Sequence, residues 1–139
     1  MKVVVEEKVA APADKVFAVI GDFGGIEKGG MVADFSMKGS GVGAIRTITL
    51  AGGGVIEERL EKHDAATRTF VYAIINEQTA LPVKNYVSTV VVTPDGPNGS
   101  VVNWSSTFDP VGLPEEQASA IISGVYKGGI AGTRQKLGV

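Results

Sequence analysis

Apolar and polar residues alternate at every second position through six short segments between residues 33 and 108, and a single long helical stretch follows them. The segments are Ala33–Lys38, Ala44–Leu50, Val55–His63, Thr69–Asn76, Lys84–Thr93 and Val101–Phe108. Period-two alternation marks strands with one buried face. The connections Gly39-Ser40-Gly41, Gly52-Gly53-Gly54, Asp64-Ala65-Ala66-Thr67 and Asp95-Gly96-Pro97-Asn98-Gly99 have the composition and length of hairpin turns. A further strand, Val3–Val9, precedes a short helix that opens at Ala11-Pro12-Ala13-Asp14 and stops at Gly21-Asp22-Phe23-Gly24-Gly25. The last helix starts at Pro114-Glu115-Glu116 and runs to about Leu137, acidic in its first turn and basic (Arg134, Lys136) in its last. The order predicts an α+β fold, a seven-stranded antiparallel sheet with one long C-terminal helix, in one domain over residues 1–139. Strands and helices do not alternate, which argues against a doubly wound nucleotide fold.

Alternation also assigns the faces. Glu57, Arg59 and Glu61 form a solvent face, so Ile56, Glu58 and Leu60 point inward. By the same parity Arg46, Ile48 and Leu50 point inward, as do Phe70, Tyr72 and Ile74, and Val102, Trp104, Ser106 and Phe108. The parity of Lys84–Thr93 is weaker and places Tyr86, Ser88, Val90 and Val92 inside; Val3, Val5, Glu7 and Val9 share one face of the first strand. An unpaired charge in an apolar core costs several kcal/mol, so inward Arg46 and Glu58 need an account. They lie on adjacent strands joined by a short turn, which predicts that they pair. They can also face a wet cavity and bind or polarise a ligand, and the two readings are compatible. Gly124, Gly128, Gly129 and Gly132 recur in the last helix, although each glycine inside a helix costs about 0.5–1 kcal/mol relative to alanine. They permit either close packing on the sheet or space for a ligand.

The bulk properties remove several classes of function. With 139 residues and no cysteine, the chain needs no disulfide and has no thiolate nucleophile or thiolate metal site. A net charge of −2 with no basic run argues against nucleic acid as a partner. The start Met1-Lys2-Val3-Val4-Val5-Glu6-Glu7 turns charged too early for a signal peptide, and no apolar run can span a membrane, so a cytoplasmic location is expected. His63, the one histidine, is expected to be a solvated turn residue at a strand end. Gly39-Ser40-Gly41-Val42-Gly43 joins two strands and lacks the dinucleotide spacing, so phosphate binding is not assigned to it. No metal and no cofactor are expected.

Several phrases occur in one order: Ala11-Pro12-Ala13-Asp14-Lys15-Val16-Phe17, Gly21-Asp22-Phe23-Gly24-Gly25, Gly41-Val42-Gly43-Ala44-Ile45-Arg46, Glu58-Arg59-Leu60, Tyr72-Ala73-Ile74, Leu81-Pro82-Val83-Lys84-Asn85-Tyr86 and Trp104-Ser105-Ser106-Thr107-Phe108. Over nearly the whole chain this resembles the polyketide cyclase/dehydrase branch of the START-like (SRPBCC) superfamily, relatives of the birch pollen allergen. The resemblance implies a helix-grip fold, a curved sheet around the long helix with a cavity between them, and apolar ligands such as polyketides, aromatics or lipids. It implies polar cavity residues at Arg46, Glu58, Tyr72, Tyr86 and Trp104. The chain departs from the pattern at Gly29-Gly30-Met31, where such relatives usually carry a Trp followed by His-Pro; the loss implies a more open or mobile entrance.

Two functions follow as expectations. The first is binding or carrying a small, largely apolar molecule, with Tyr72, Tyr86, Ser88, Trp104, Ser106, Ile122, Tyr126 and Ile130 as the ligand-binding set. The second is cofactor-independent cyclisation, dehydration or isomerisation of an aromatic or polyketide-like substrate. There Glu58 would be the general acid or base and Arg46 would stabilise an oxyanion. The expected partner is the small molecule alone, with the chain a monomer or homodimer.

Overall fold

A computed structural model describes residues 1–139. The elements are β1 (Lys2–Val9), α1 (Ala13–Ile20), β2 (Val32–Lys38), β3 (Ile45–Leu50), β4 (Val55–Asp64), β5 (Thr69–Ile74), β6 (Val83–Pro94), β7 (Ser100–Pro110) and α2 (Glu115–Leu137). The seven strands form one antiparallel sheet in the order β1-β7-β6-β5-β4-β3-β2. From β2 to β7 every neighbour in space is the neighbour in sequence, joined by short turns except for the longer connection over residues 75–82 between β5 and β6. Only β1 departs, pairing with β7 in a register that sets Val5 against Trp104. The seven-stranded antiparallel sheet and long terminal helix read from the sequence are both present.

Local chemistry accounts for the boundaries. Pro12 and Pro114 stand immediately before α1 and α2, where a missing N–H is harmless. Gly138 ends α2 at φ 73° and donates its N–H to Arg134 and Gln135 carbonyls. At the β3–β4 turn Gly53 and Gly54 take φ of 89° and 93°, values that favour glycine.

The inward parity holds through the sheet. Ile56, Leu60, Phe70, Tyr72, Tyr86, Val90, Val92, Val102, Trp104 and Phe108 are buried, and α2 lays Ala118, Ile122, Tyr126 and Ile130 on them. Three register shifts interrupt the sheet, one of them between Val32 and Asp34 in β2. The register of β6 shifts between Lys84 and Val87, where Asn85 adopts φ 53°, so Val83 and Tyr86 are both buried. This bulge is the reason for the weak alternation in that segment. The third shift, between Leu60 and Lys62 in β4, turns His63 onto the side of Phe17 and Phe70, with ring centroids at 5.1 and 6.5 Å. The expectation for His63 is therefore corrected: it is exposed, but it lies within β4, packs on aromatic rings and places Nε2 3.1 Å from the Gly21 carbonyl oxygen. Glu7, also assigned inward, is half-buried and binds Arg134 of α2 at 2.8 Å.

Candidate functional site

β3 and β4 run side by side with Arg46 directly opposite Glu58. The Arg46 Nε–H donates to Glu58 Oε1 at 2.6 Å, and both side chains are under a tenth exposed. Arg46 Nη1 donates to the Phe23 carbonyl at 3.2 Å. The guanidinium lies 4.1 Å from the centroid of the Phe23 ring and 5.1 Å from that of Tyr72. It is thus held by one carboxylate, one carbonyl and two aromatic faces, a combination that suits arginine and not lysine. Phe23 is buried although its neighbours Asp22 and Gly24 are exposed. Its role was not read from the sequence, where the phrase Gly21-Asp22-Phe23-Gly24-Gly25 marks only a helix stop. An aromatic ring set among glycines was the available signal.

The hydroxyls of Tyr72, Tyr86 and Tyr126 meet beside this pair. Tyr72 and Tyr86 hydroxyl oxygens are 3.4 Å apart, and the Tyr86 hydroxyl contacts that of Tyr126. Tyr126 reaches Ser88 Oγ at 3.3 Å, and Ser88 Oγ donates to the Ser105 carbonyl at 3.0 Å. The Trp104 indole N–H donates to Ser88 Oγ at 2.9 Å. A carbonyl only accepts, so the Ser88 proton is committed to Ser105. Tyr126 then donates to Ser88 and Tyr86 to Tyr126, which leaves the Tyr72 hydroxyl proton held by the longest link of the chain. Burial pushes all three phenols above their ordinary pKa, and the Glu58 charge adds to the effect at Tyr72 and Tyr126. They are neutral hydroxyls. Ser106 Oγ is buried without a hydrogen-bond partner.

A cavity of about 370 Å³ opens between the sheet and α2. Arg46, Glu58, Tyr72, Tyr86 and Trp104 line it together, as parity predicts. Ser88, Ser106, Ile122, Tyr126 and Ile130 are not brought to its wall: Ser88, Ile122, Tyr126 and Ile130 are fully buried and Ser106 nearly so, in the packing around the Trp104 indole and under α2. The helix instead contributes Val125, Gly129, Gly132, Thr133 and Lys136. The difference is a rotation of the helix about its axis. Ile122, Tyr126 and Ile130 recur every fourth residue and point straight at the sheet, so the residues flanking them reach the cavity. Two glycine readings are realised at different positions. A Cβ on Gly129 would lie 2.6 Å from Trp104 Cζ3, so this glycine lets the indole slide under the helix, stacked on Tyr126 at 4.6 Å. At Gly124, Gly128 and Gly132 a Cβ would meet nothing within 4 Å, and Gly132 contributes open space to the cavity. Gly29 and Val32 close a tight turn through two backbone hydrogen bonds of 2.9 and 3.0 Å, with Met31 69% exposed. None of Gly29, Gly30 and Met31 lines the cavity.

A wider depression of about 850 Å³ lies between α1, the β2–β3 turn and the His63 end of β4. It shares only Asp22 with the cavity and contains none of the buried polar groups described above. The converging charges and hydroxyls mark the smaller cavity as the chemically equipped one.

A curved seven-stranded sheet gripping a long helix, with an aromatic-lined cavity between them, defines a helix-grip cavity protein, the architecture of the birch pollen allergen group. Residues 1–138 match the family described as polyketide cyclase/dehydrase and lipid transport, and the chain belongs to that family. MLP-like protein 423 of Arabidopsis thaliana is 29% identical over 116 residues, 76% of this chain and 74% of that protein. The structure of XoxI from Bacillus cereus superposes with a TM-score of 0.84 at 28% identity, over 97% of this chain and 94% of that one. Norcoclaurine synthase from Thalictrum flavum, 23% identical, shares the fold with a TM-score of 0.79 over 99% of this chain and 85% of its own. No helix is long and apolar enough to cross a membrane.

Proposed function

We propose that the protein binds a small, largely apolar molecule in the cavity between the sheet and α2. The observation that carries this reading is the cavity wall itself, where Ile48, Ile56, Phe70, Leu81 and Val125 surround the Arg46–Glu58 pair and the Tyr72 hydroxyl. Apolar walls supply affinity through burial, and a few fixed polar groups orient the guest. Norcoclaurine synthase, of the same fold, has been solved with the small aromatic molecules dopamine and hydroxybenzaldehyde bound. The test is titration with the neutral apolar dye N-phenyl-1-naphthylamine, together with native mass spectrometry of protein purified from its own host. Enhanced, saturable dye fluorescence and a co-purifying small molecule are expected; absence of both defeats the reading.

One arrangement favours a second reading, catalysis without a cofactor. Glu58 keeps one carboxylate oxygen outside its hydrogen bond to Arg46, and the Tyr72 hydroxyl proton is weakly held nearby. A carboxylate that takes a proton and a donor that holds the developing oxyanion are the two groups an enolisation, cyclisation or dehydration needs. Unchanged turnover of an identified substrate by Glu58→Gln would remove this reading.

A further inference from the structure

We infer that the cavity selects an electrically neutral molecule and turns away carboxylates, sulfonates and phosphates. The inference rests on the binding reading above and names the class of guest. Five charged residues line the cavity: Arg46 and Lys136 on one side of the count, Asp22, Glu27 and Glu58 on the other. The sum is two positive and three negative, a net charge of −1. Each cation already has a carboxylate beside it. Arg46 is taken up by Glu58 and the Phe23 carbonyl, and its flat faces are covered by Phe23 and Tyr72. Lys136 lies 3.7 Å from Glu27 and donates to the Gly25 carbonyl at 3.1 Å. Asp22 has no ion-pair partner and stands exposed at the mouth.

An anionic guest would lose its hydration and gain no uncompensated cation, a loss that apolar contacts do not repair. The three phenols, neutral hydroxyls on grounds of burial, add no charge of either sign. What the cavity does offer is donors for a keto or hydroxyl oxygen of a neutral molecule: the Arg46 N–H groups outside its bonds to Glu58 and Phe23, their charge balanced by Glu58, and the loosely held Tyr72 hydroxyl. The same geometry makes Glu58 the group that sets the preference: with its charge removed, Arg46 remains in place and becomes an anion site.

Calorimetry of the full chain at pH 7 with 2-naphthol, which is neutral, and 2-naphthoate, which is anionic, separates the possibilities. The wild-type protein is expected to bind the naphthol at least about tenfold more tightly, a difference of about 1.4 kcal/mol. In Glu58→Gln the naphthoate is expected to gain at least about tenfold over its wild-type affinity. Asp22→Asn, an exposed change, is expected to raise naphthoate affinity by about threefold at most. Equal or tighter naphthoate binding by the wild type overturns the charge inference and leaves the binding reading intact. Binding of neither probe defeats the binding reading, and the inference with it. A folded Glu58→Gln protein without naphthoate gain also overturns the inference; if that variant does not fold, the wild-type comparison decides alone.

Discussion

Arg46 and Glu58 face each other across β3 and β4, joined by a 2.6 Å hydrogen bond in the cavity wall, and Arg46 also donates to the Phe23 carbonyl. Each satisfies a charge that the other could not bury alone. Truncation of one partner therefore exposes the full cost of the other. Glu58→Ala is expected to lower stability by about 3 kcal/mol, at the low end of buried pairs because the site borders a cavity. Replacing both with methionine is expected to return most of that loss. Chemical denaturation of the two variants checks both values, and a loss of about 1 kcal/mol or less for Glu58→Ala would mean a solvated pair.

Two adjacent glycines in α2 should respond in opposite directions. Gly128→Ala adds a methyl group to open space and is expected to stabilise by about 0.5–1 kcal/mol through helix propensity. Gly129→Ala drives a methyl group into the Trp104 ring and is expected to destabilise by about 1–3 kcal/mol. Thermal melts measure both, and the emission of Trp104, the only tryptophan, should shift only in the second variant.

The cavity, and not the wider depression, is expected to hold the guest. Gly132 borders the cavity and an added Cβ there meets nothing within 4 Å, so Gly132→Leu should weaken N-phenyl-1-naphthylamine binding by about tenfold with little change in melting temperature. Val42→Asp, placed in the other depression, should leave dye affinity unchanged. Fluorescence titration of both variants decides.

The phenol cluster predicts a sensitivity to alkali. All three tyrosines of the chain have their pKa raised in the folded state, by burial first. Above about pH 10 the unfolded chain releases these protons and the folded chain keeps them. The unfolded state then binds fewer protons, so stability falls as pH rises, by up to about 1.4 kcal/mol per pH unit for each tyrosine. Below about pH 10 these groups contribute no slope. Tyr126→Phe should remove about a third of the alkaline slope, read from denaturation midpoints between about pH 9 and 11.

Strand positions, pairing order and the inward set were legible because they depend on near-neighbour chemistry: alternation within a segment and the length of a turn. The Arg46–Glu58 contact followed from those two facts alone. The bulge that turns His63 onto the Phe17 and Phe70 rings was not legible, since Glu61-Lys62-His63-Asp64 reads equally well in either register. The orientation of α2 was also hidden. Ile121, Ile122, Val125 and Tyr126 place apolar groups around more than half of the helix, so composition does not say which edge of that band meets the cavity. Packing against α1 and the sheet decides it: Ile122 and Tyr126 are fully buried, and Ile121 and Val125 remain 41% and 44% exposed.

The place of β1 in the sheet has a consequence for how the chain is made. Lys2 pairs with Thr107 and Val9 with Ser100, so β1, made before the other six strands of the sheet, has as its one strand partner β7, made after them. At about 5–20 residues per second, β1 waits about 5–20 s for its partner. Nascent chains stalled before Ser100 are expected to be cut by protease within β1, and chains released beyond Leu137 to be protected there. During that interval β2 to β6 can pair in order of emergence, while Val3, Val5 and Val9 remain an unsheltered apolar edge.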